Sequence, residues 1–172
     1  NYYVEAGEII HTQLIGSPVH FQQILMNIGS NAVKYNHDGG SVTVTCREVS
    51  YTDTTAEYEL TCTDTGISMS EEFQKRAFEP FAQEGQLART KYAGTGLGLA
   101  ISRKLIELQG GTLFFESIQG KGTKFILHIS FEISAEEQKK KFHMYQNCSV
   151  EGIQVLLVED NELNMEIAEF LL

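Results

Sequence analysis

The chain has 172 residues, 42% of them hydrophobic, and a net charge of −10. This is enough for one domain with a proper core plus a remnant, and the acidity argues against nucleic acid or acidic membrane surfaces as partners. Cys46, Cys62 and Cys148 show neither metal-ligand nor redox spacing, and no run has the make-up of a signal peptide or membrane span. Reduced thiols and a cytoplasmic setting are therefore expected, whether or not a larger parent protein is anchored in a membrane.

Taken in chain order, Glu8 to Leu14 reads as an edge strand. Ser17 stands where an N-cap belongs and Pro18 at the first helical position, opening a helix to Tyr35. At about 100° per residue, Gln23, Asn27, Asn31 and Lys34 form one polar stripe beside an apolar face of Phe21, Ile24, Leu25, Ile28 and Ala32. A carboxamide oxygen is a hard, neutral ligand suited to Mg²⁺. A solvated helix face is the plainer account of the same stripe.

A hairpin follows, SVTVTCREV and then EYELTCTD, with Val42, Val44 and Cys46 and then Tyr58, Leu60 and Cys62 alternating toward one face. It ends in DTGIS, where the Asp64 carboxylate could accept from an exocyclic amine and Gly66 could admit a flat base. An Asp-Gly turn without a ligand is the alternative. A short helix from Ser70 to Ala77 then leads into FEPFAQEGQLARTKYAGTGLGLA. Gly94 and Gly96 lead into, and Gly98 lies in the first turn of, a helix from Leu97 to Leu108, whose unpaired N–H groups and positive dipole end suit an anion. The loop from Ala82 to Ala93 reads as a lid that brings Arg89 and Lys91 to phosphates. Gly110 and Gly111 stop the helix, and TLFFESI and TKFILHISFEI close the sheet. The elements amount to a two-layer α/β sandwich.

Beyond Ile133 the composition turns polar through residues 134–150, a linker. Residues 151–172 then give an apolar strand, the acids Glu159 and Asp160 and an amphipathic helix capped by Asn161.

In this order NIGSNAVKY, DTGIS, FEPF, GTGLGL and GKGTKF resemble the nucleotide-binding boxes of the sensor histidine kinase catalytic domain, of the Bergerat ATP-binding fold. The resemblance spans roughly Glu8 to Ile133, within a domain taken as residues 1–133. It implies a mixed sheet with helices on one face and Mg²⁺–ATP between the layers. Asn31 would then hold the metal with Asn27 beside it, and Lys34 would lie near the phosphates. Asp64 would accept from the adenine amino group, Gly66 would clear the base, Tyr35 would flank it, and Thr123 would support Asp64 through water. Gly94, Thr95, Gly96, Leu97 and Gly98 would hold the phosphates. Two positions depart from the pattern: Ser17 replaces an aspartate and Ser68 a second glycine, the latter adding a side chain beside the adenine site.

Relatives that hydrolyse ATP carry a glutamate base four residues before the metal-binding asparagine, where this chain has Asn27. An amide takes no proton from water near neutral pH, so phosphoryl transfer to a histidine is favoured over hydrolysis. A Bergerat-fold ATPase and a nucleotide-free interaction module stay as alternatives. Of His11, His20, His37, His128 and His143, only His37 is followed by an acid, and it stands in the turn-forming NHDGG rather than on a helix. The resemblance therefore implies dimerisation and phosphoacceptor helices outside this chain, a homodimeric parent, and a fragment that binds ATP without phosphorylating itself. The segment 151–172 resembles the first strand and helix of a response-regulator receiver domain, which implies a hybrid kinase.

Overall fold

The computed structural model describes residues 1–84 and 94–136. Arg89, Lys91, most of the expected lid, most of the linker and the receiver-like segment lie outside the described residues. By contact the chain divides into Asn1–Lys141 and Phe142–Leu172, and every described residue belongs to the first.

Nine elements appear among the described residues: β1 (Tyr2–Ala6), β2 (Leu14–Ile15), α1 (Pro18–Lys34), β3 (Val42–Tyr51), β4 (Thr55–Asp64), α2 (Glu71–Gln74), α3 (Gly98–Leu108), β5 (Thr112–Ile118) and β6 (Gly122–Ile133). The sheet runs β1-β3-β4-β6, and both β5 and β2 pair the far edge of β6. β1 lies parallel to β3 and the remaining pairings are antiparallel, so the sheet is mixed.

The alternation read from the hairpin sets the register. Val44 pairs Cys62 and Cys46 pairs Leu60, while Cys62 and Leu60 pair Phe125 and Leu127 on β6. Since pleated side chains repeat every second residue, these positions share one face. Ile24, Ile28 and Ala32 of α1 and Ile106 of α3 pack on it. Ile24 and Ile106 are wholly buried, each contributing about 2 kcal/mol by removal from water. The opposite face carries polar cross-strand pairs, Thr45 with Thr61 and Arg47 with Glu59. Among the described residues no helix is long and apolar enough to cross a membrane.

The helices start where their caps place them. The Ser17 hydroxyl accepts from His20 N–H with Pro18 next in line, and α1 ends one residue short of Tyr35. α2 is shorter than the expected Ser70 to Ala77. Ser70 is its N-cap, accepting from Phe73 N–H, and after Gln74 the chain tightens into i to i+3 bonds such as Arg76 N–H to Phe73 C=O.

The expected edge strand from Glu8 to Leu14 is not formed. The strands are Tyr2–Ala6 and Leu14–Ile15 instead. Between them a side chain replaces the ladder: Glu48 Oε2 accepts from Ile10 N–H at 2.8 Å and His11 N–H at 2.9 Å. Glu48 Oε1 meets His11 Nδ1 at 2.8 Å, and the Tyr58 hydroxyl donates to His11 C=O. Backbone groups satisfied in this way have no need of a neighbouring strand. Burial raises the Glu48 pKa, but the bonds from His11 and Ile10 outweigh it and hold the carboxyl below its ordinary value.

Candidate functional site

The strand β4 delivers Asp64 to the end of the sheet, on the face covered by helices. There it is 5% exposed. Gly66 N–H donates to its Oδ1 at 2.8 Å and Thr123 N–H to the same oxygen at 3.3 Å. Oδ2 takes no hydrogen bond among the described residues. Burial raises the Asp64 pKa, the two N–H donors oppose it, and burial wins. On the same face, burial and the neighbouring Asp64 charge push the Cys62 thiol up to about 11.

Asp64 lines a cavity of about 580 Å³ bounded by α1, the segment from Ile67 to Glu84, the glycine turn and β6. Asn31, Lys34, Tyr35, Gly94, Thr95, Gly96, Gly98 and Thr123 line it as well. Of the polar stripe of α1, Asn31 and Lys34 face this space, and the Asn31 carboxamide makes no hydrogen bond among the described residues. The Lys34 ammonium sits 5.0 Å from the centre of the Tyr35 ring, a cation–π distance. It also lies 2.8 Å from where a Cβ on Gly94 would be, so the ammonium stands against the first glycine of the turn. Leu97 precedes α3 as its N-cap with no side-chain cap bond, leaving first-turn N–H groups for another acceptor.

Among the described residues, three expected site residues do not line the cavity: Asn27, Gly66 and Leu97. Asn27 joins the helices, its Nδ2 donating to Gly98 C=O at 3.2 Å and to the Ser102 hydroxyl at 3.1 Å, while its Oδ1 takes no hydrogen bond among the described residues. Gly66 is bare for a structural reason. A Cβ there would lie 2.3 Å from Tyr35 C=O, and Ile67 N–H donates to that same carbonyl. Thr123 supports Asp64 directly through its backbone N–H, and its hydroxyl pairs with Ser117 at 2.9 Å.

Ser68 lines the cavity, with its hydroxyl turned to the strand ends behind it. Its hydroxyl donates to Ile118 C=O at 2.6 Å and accepts from Gly122 N–H at 3.2 Å, tying the wall of the cavity to the β5–β6 turn. The sequence reading missed the apolar walls, Ile67, Met69, Phe73, Leu99 and Phe125. The inward alternation of β6 signals Phe125. Phe73 sits in the single turn of α2 and Leu99 in the first turn of α3, too near a helix end for a period to show, while Ile67 and Met69 come from an irregular segment. Among the described residues no three His, Cys, Asp or Glu side chains are grouped to hold a metal.

Residues 16–133 match the family described as histidine kinase-, DNA gyrase B- and HSP90-like ATPases. The chain is 36% identical to the sensor histidine kinase AruS of Pseudomonas aeruginosa over 163 residues, which is 95% of this chain and 16% of AruS. It therefore spans about a sixth of that relative's length. Among solved structures, the catalytic domain of histidine kinase ThkA, in a nucleotide-free form, superposes with a TM-score of 0.61 at 25% identity, covering 76% of this chain and 79% of that one. Full-length ShkA in complex with AMPPNP superposes with a TM-score of 0.61 at 26% identity, covering 79% of this chain and 26% of ShkA. The mixed sheet, the cavity between its end and the helices, and these likenesses agree: the chain belongs to the histidine kinase-, gyrase B- and HSP90-like ATPase family and, within it, is similar to the catalytic domains of sensor histidine kinases.

Proposed function

We propose that the cavity binds Mg²⁺–ATP and presents its terminal phosphoryl group to a histidine on another part of a hybrid kinase. The observation that carries this is the convergence, in one cavity, of a buried carboxylate with one oxygen unbonded, a carboxamide without a hydrogen bond and an ammonium set against a glycine turn.

The residues fit the group. Asp64 Oδ2 is an acceptor for the adenine amino group, and the apolar walls and Tyr35 suit a flat base. Lys34 and the first-turn N–H groups of α3 suit phosphates, with Arg89 and Lys91 as further cations. Asn31 offers a neutral ligand to Mg²⁺, which keeps waters and phosphate oxygens for the rest of its shell, and Asn27, outside the cavity lining one turn earlier, has an unbonded Oδ1 as a second, more distant candidate. When bound, ATP supplies the phosphoryl group and Mg²⁺ offsets its charge. The chain's own work is positioning and charge stabilisation: the P–O bond to ADP breaks, a P–N bond to imidazole forms, and the imidazole sheds its proton. Asn27 supplies no base for water, and its amide is committed to Gly98 and Ser102. This favours transfer over hydrolysis.

The match to AruS covers 163 of the 172 residues and so reaches well past Ile133. That supports reading 1–133 as the catalytic domain, 134–150 as a linker and 151–172 as the start of a receiver. The partners are then the dimerisation and phosphoacceptor helices of a homodimeric parent and a receiver domain, in a cytoplasmic setting. ShkA was solved with AMPPNP, a precedent for the ligand class.

Thermal denaturation with and without ligand tests the proposal. Mg²⁺–ATP at a hundred times its Kd adds about 2.7 kcal/mol. For a chain of this size the melting temperature rises roughly 5 to 10 °C. No shift with any adenine nucleotide at saturating Mg²⁺ rejects the proposal, and steady phosphate release from the isolated chain transfers it to the ATPase alternative.

A further inference from the structure

We propose that Gln83 is a positioning residue for the phosphate end of the nucleotide, holding the glycine turn in the shape that accepts an anion. This rests on the reading of the cavity as an adenine-nucleotide site. The Gln83 side-chain Nε2 donates to Gly94 C=O at 2.7 Å, bridging eleven positions of sequence. Gln83 also lines the cavity. Its backbone is fixed in turn, since Arg76 Nη2 donates to Gln83 C=O at 3.1 Å and Glu84 Oε1 accepts from Ser70 N–H at 2.7 Å.

The two residues before it are moulded to the same turn. Gly96 has φ +70°, and a Cβ there would come 2.7 Å from both Ala82 C=O oxygen and the Phe81 carbonyl carbon. Phe81 itself has φ 64°, rare for a residue with a side chain, and the residue is 69% exposed. Its burial therefore does not account for the strain. Phe78, by contrast, packs on Phe115 at 5.4 Å and anchors the segment to the core. Phe81 to Gln83 thus form a rigid template against which Gly94 to Gly96 lie.

The chemical consequence concerns one peptide group. A carbonyl oxygen turned toward a polyanion repels it, whereas an N–H attracts it. With its oxygen held by Gln83, the Gly94–Thr95 peptide cannot swing that oxygen toward the phosphates. Removing the donor frees the peptide to rotate, and affinity falls for ligands that carry phosphates while the base end is untouched.

The test is a titration of the unaltered chain and of Gln83→Met, which keeps the length and loses the donor, with ATP and with adenosine. The Kd for ATP should rise roughly three- to ten-fold, the range of one lost hydrogen bond, and that for adenosine should stay within about twofold. Gln83→Asn, too short for the 2.7 Å contact, should give the same pattern if the methionine variant folds poorly. In the nucleotide-free state the amide resonances of Thr95 to Leu97 should already shift in the variant. Equal losses for both ligands, no loss for either, or an ATP-only loss with unchanged resonances each overturn the positioning role, the last by making Gln83 a direct ligand. An unaltered chain that binds neither ligand overturns the nucleotide reading itself, and the inference with it.

Discussion

Replacing Asp64 with asparagine separates recognition from folding, because the structure dictates which way the amide must point. Gly66 N–H and Thr123 N–H both donate to Oδ1, so the carboxamide oxygen has to take that place. The reverse orientation would set an NH₂ group against two N–H donors. The amide nitrogen therefore occupies the Oδ2 position and confronts the adenine amino group, donor against donor. A hydrogen bond to a charged acceptor contributes about 1.5–3 kcal/mol, so ATP affinity should fall roughly 10- to 150-fold. Folding should barely respond. The Asp64 pKa is raised by burial, so ionisation at neutral pH costs stability: the contribution is fully present below the ordinary carboxylate pKa and is lost as pH rises through the raised one. Asp64→Asn removes that cost while keeping both N–H partners, and the variant's melting temperature without nucleotide should equal or exceed that of the unaltered chain at pH 7. Calorimetric titration and thermal denaturation on the same samples measure both quantities. A variant that binds ATP as well as the original would refute the amine-accepting role. A drop of many degrees in its nucleotide-free melting temperature would show Asp64 to be structural first.

The glycine turn offers a contrast. A Cβ on Gly98 would meet Asn27 at 3.6 Å, an ordinary contact, whereas Gly96 combines φ +70° with a 2.7 Å clash, so Gly98→Ala should melt normally and Gly96→Ala should lose about 1–3 kcal/mol in denaturant titration. Glu48→Gln should lower stability by about 1–3 kcal/mol at neutral pH, because Glu48 serves two backbone N–H groups and His11. The depressed Glu48 pKa means its contribution is present above the ordinary carboxylate value and lost as pH falls through the folded one, so the gap between the two proteins should close in acid, and a gap constant with pH contradicts this. A Cβ on Gly29, within α1, would meet nothing within 4 Å, and Gly29→Ala should raise stability by about 0.5–1 kcal/mol in the same titration. Cys62, with its pKa pushed up to about 11 and its side chain buried, should resist iodoacetamide at pH 8 until the chain is unfolded.

Much of the architecture is local and was therefore legible in the residues. Ser17-Pro18 starts α1, period-2 alternation fixes the facing of β3, β4 and β6, and glycines at every second position announce the turn before α3. Each rests on geometry within a few residues, where sequence spacing and spatial spacing are the same thing. The family boxes added the class of ligand, and the family match agrees with a nucleotide.

What lay beyond the sequence is long-range. Tyr2–Ala6 is a strand because β3 offers it a parallel edge, and Glu8 to Gln13 is not one because a glutamate some forty positions later answers its N–H groups. Gly66 looked like clearance for a base and is required by Tyr35 C=O. Ser68 looked like an obstruction and is spent on the β5–β6 turn. Asn27 looked like a cavity group, and its amide nitrogen joins α1 to α3. In each case the sequence determined which functional groups were available and on which face of which element. Only the folded chain decided their partners, because a hydrogen bond or a steric contact depends on distances that residues far apart in sequence acquire when the sheet and helices pack.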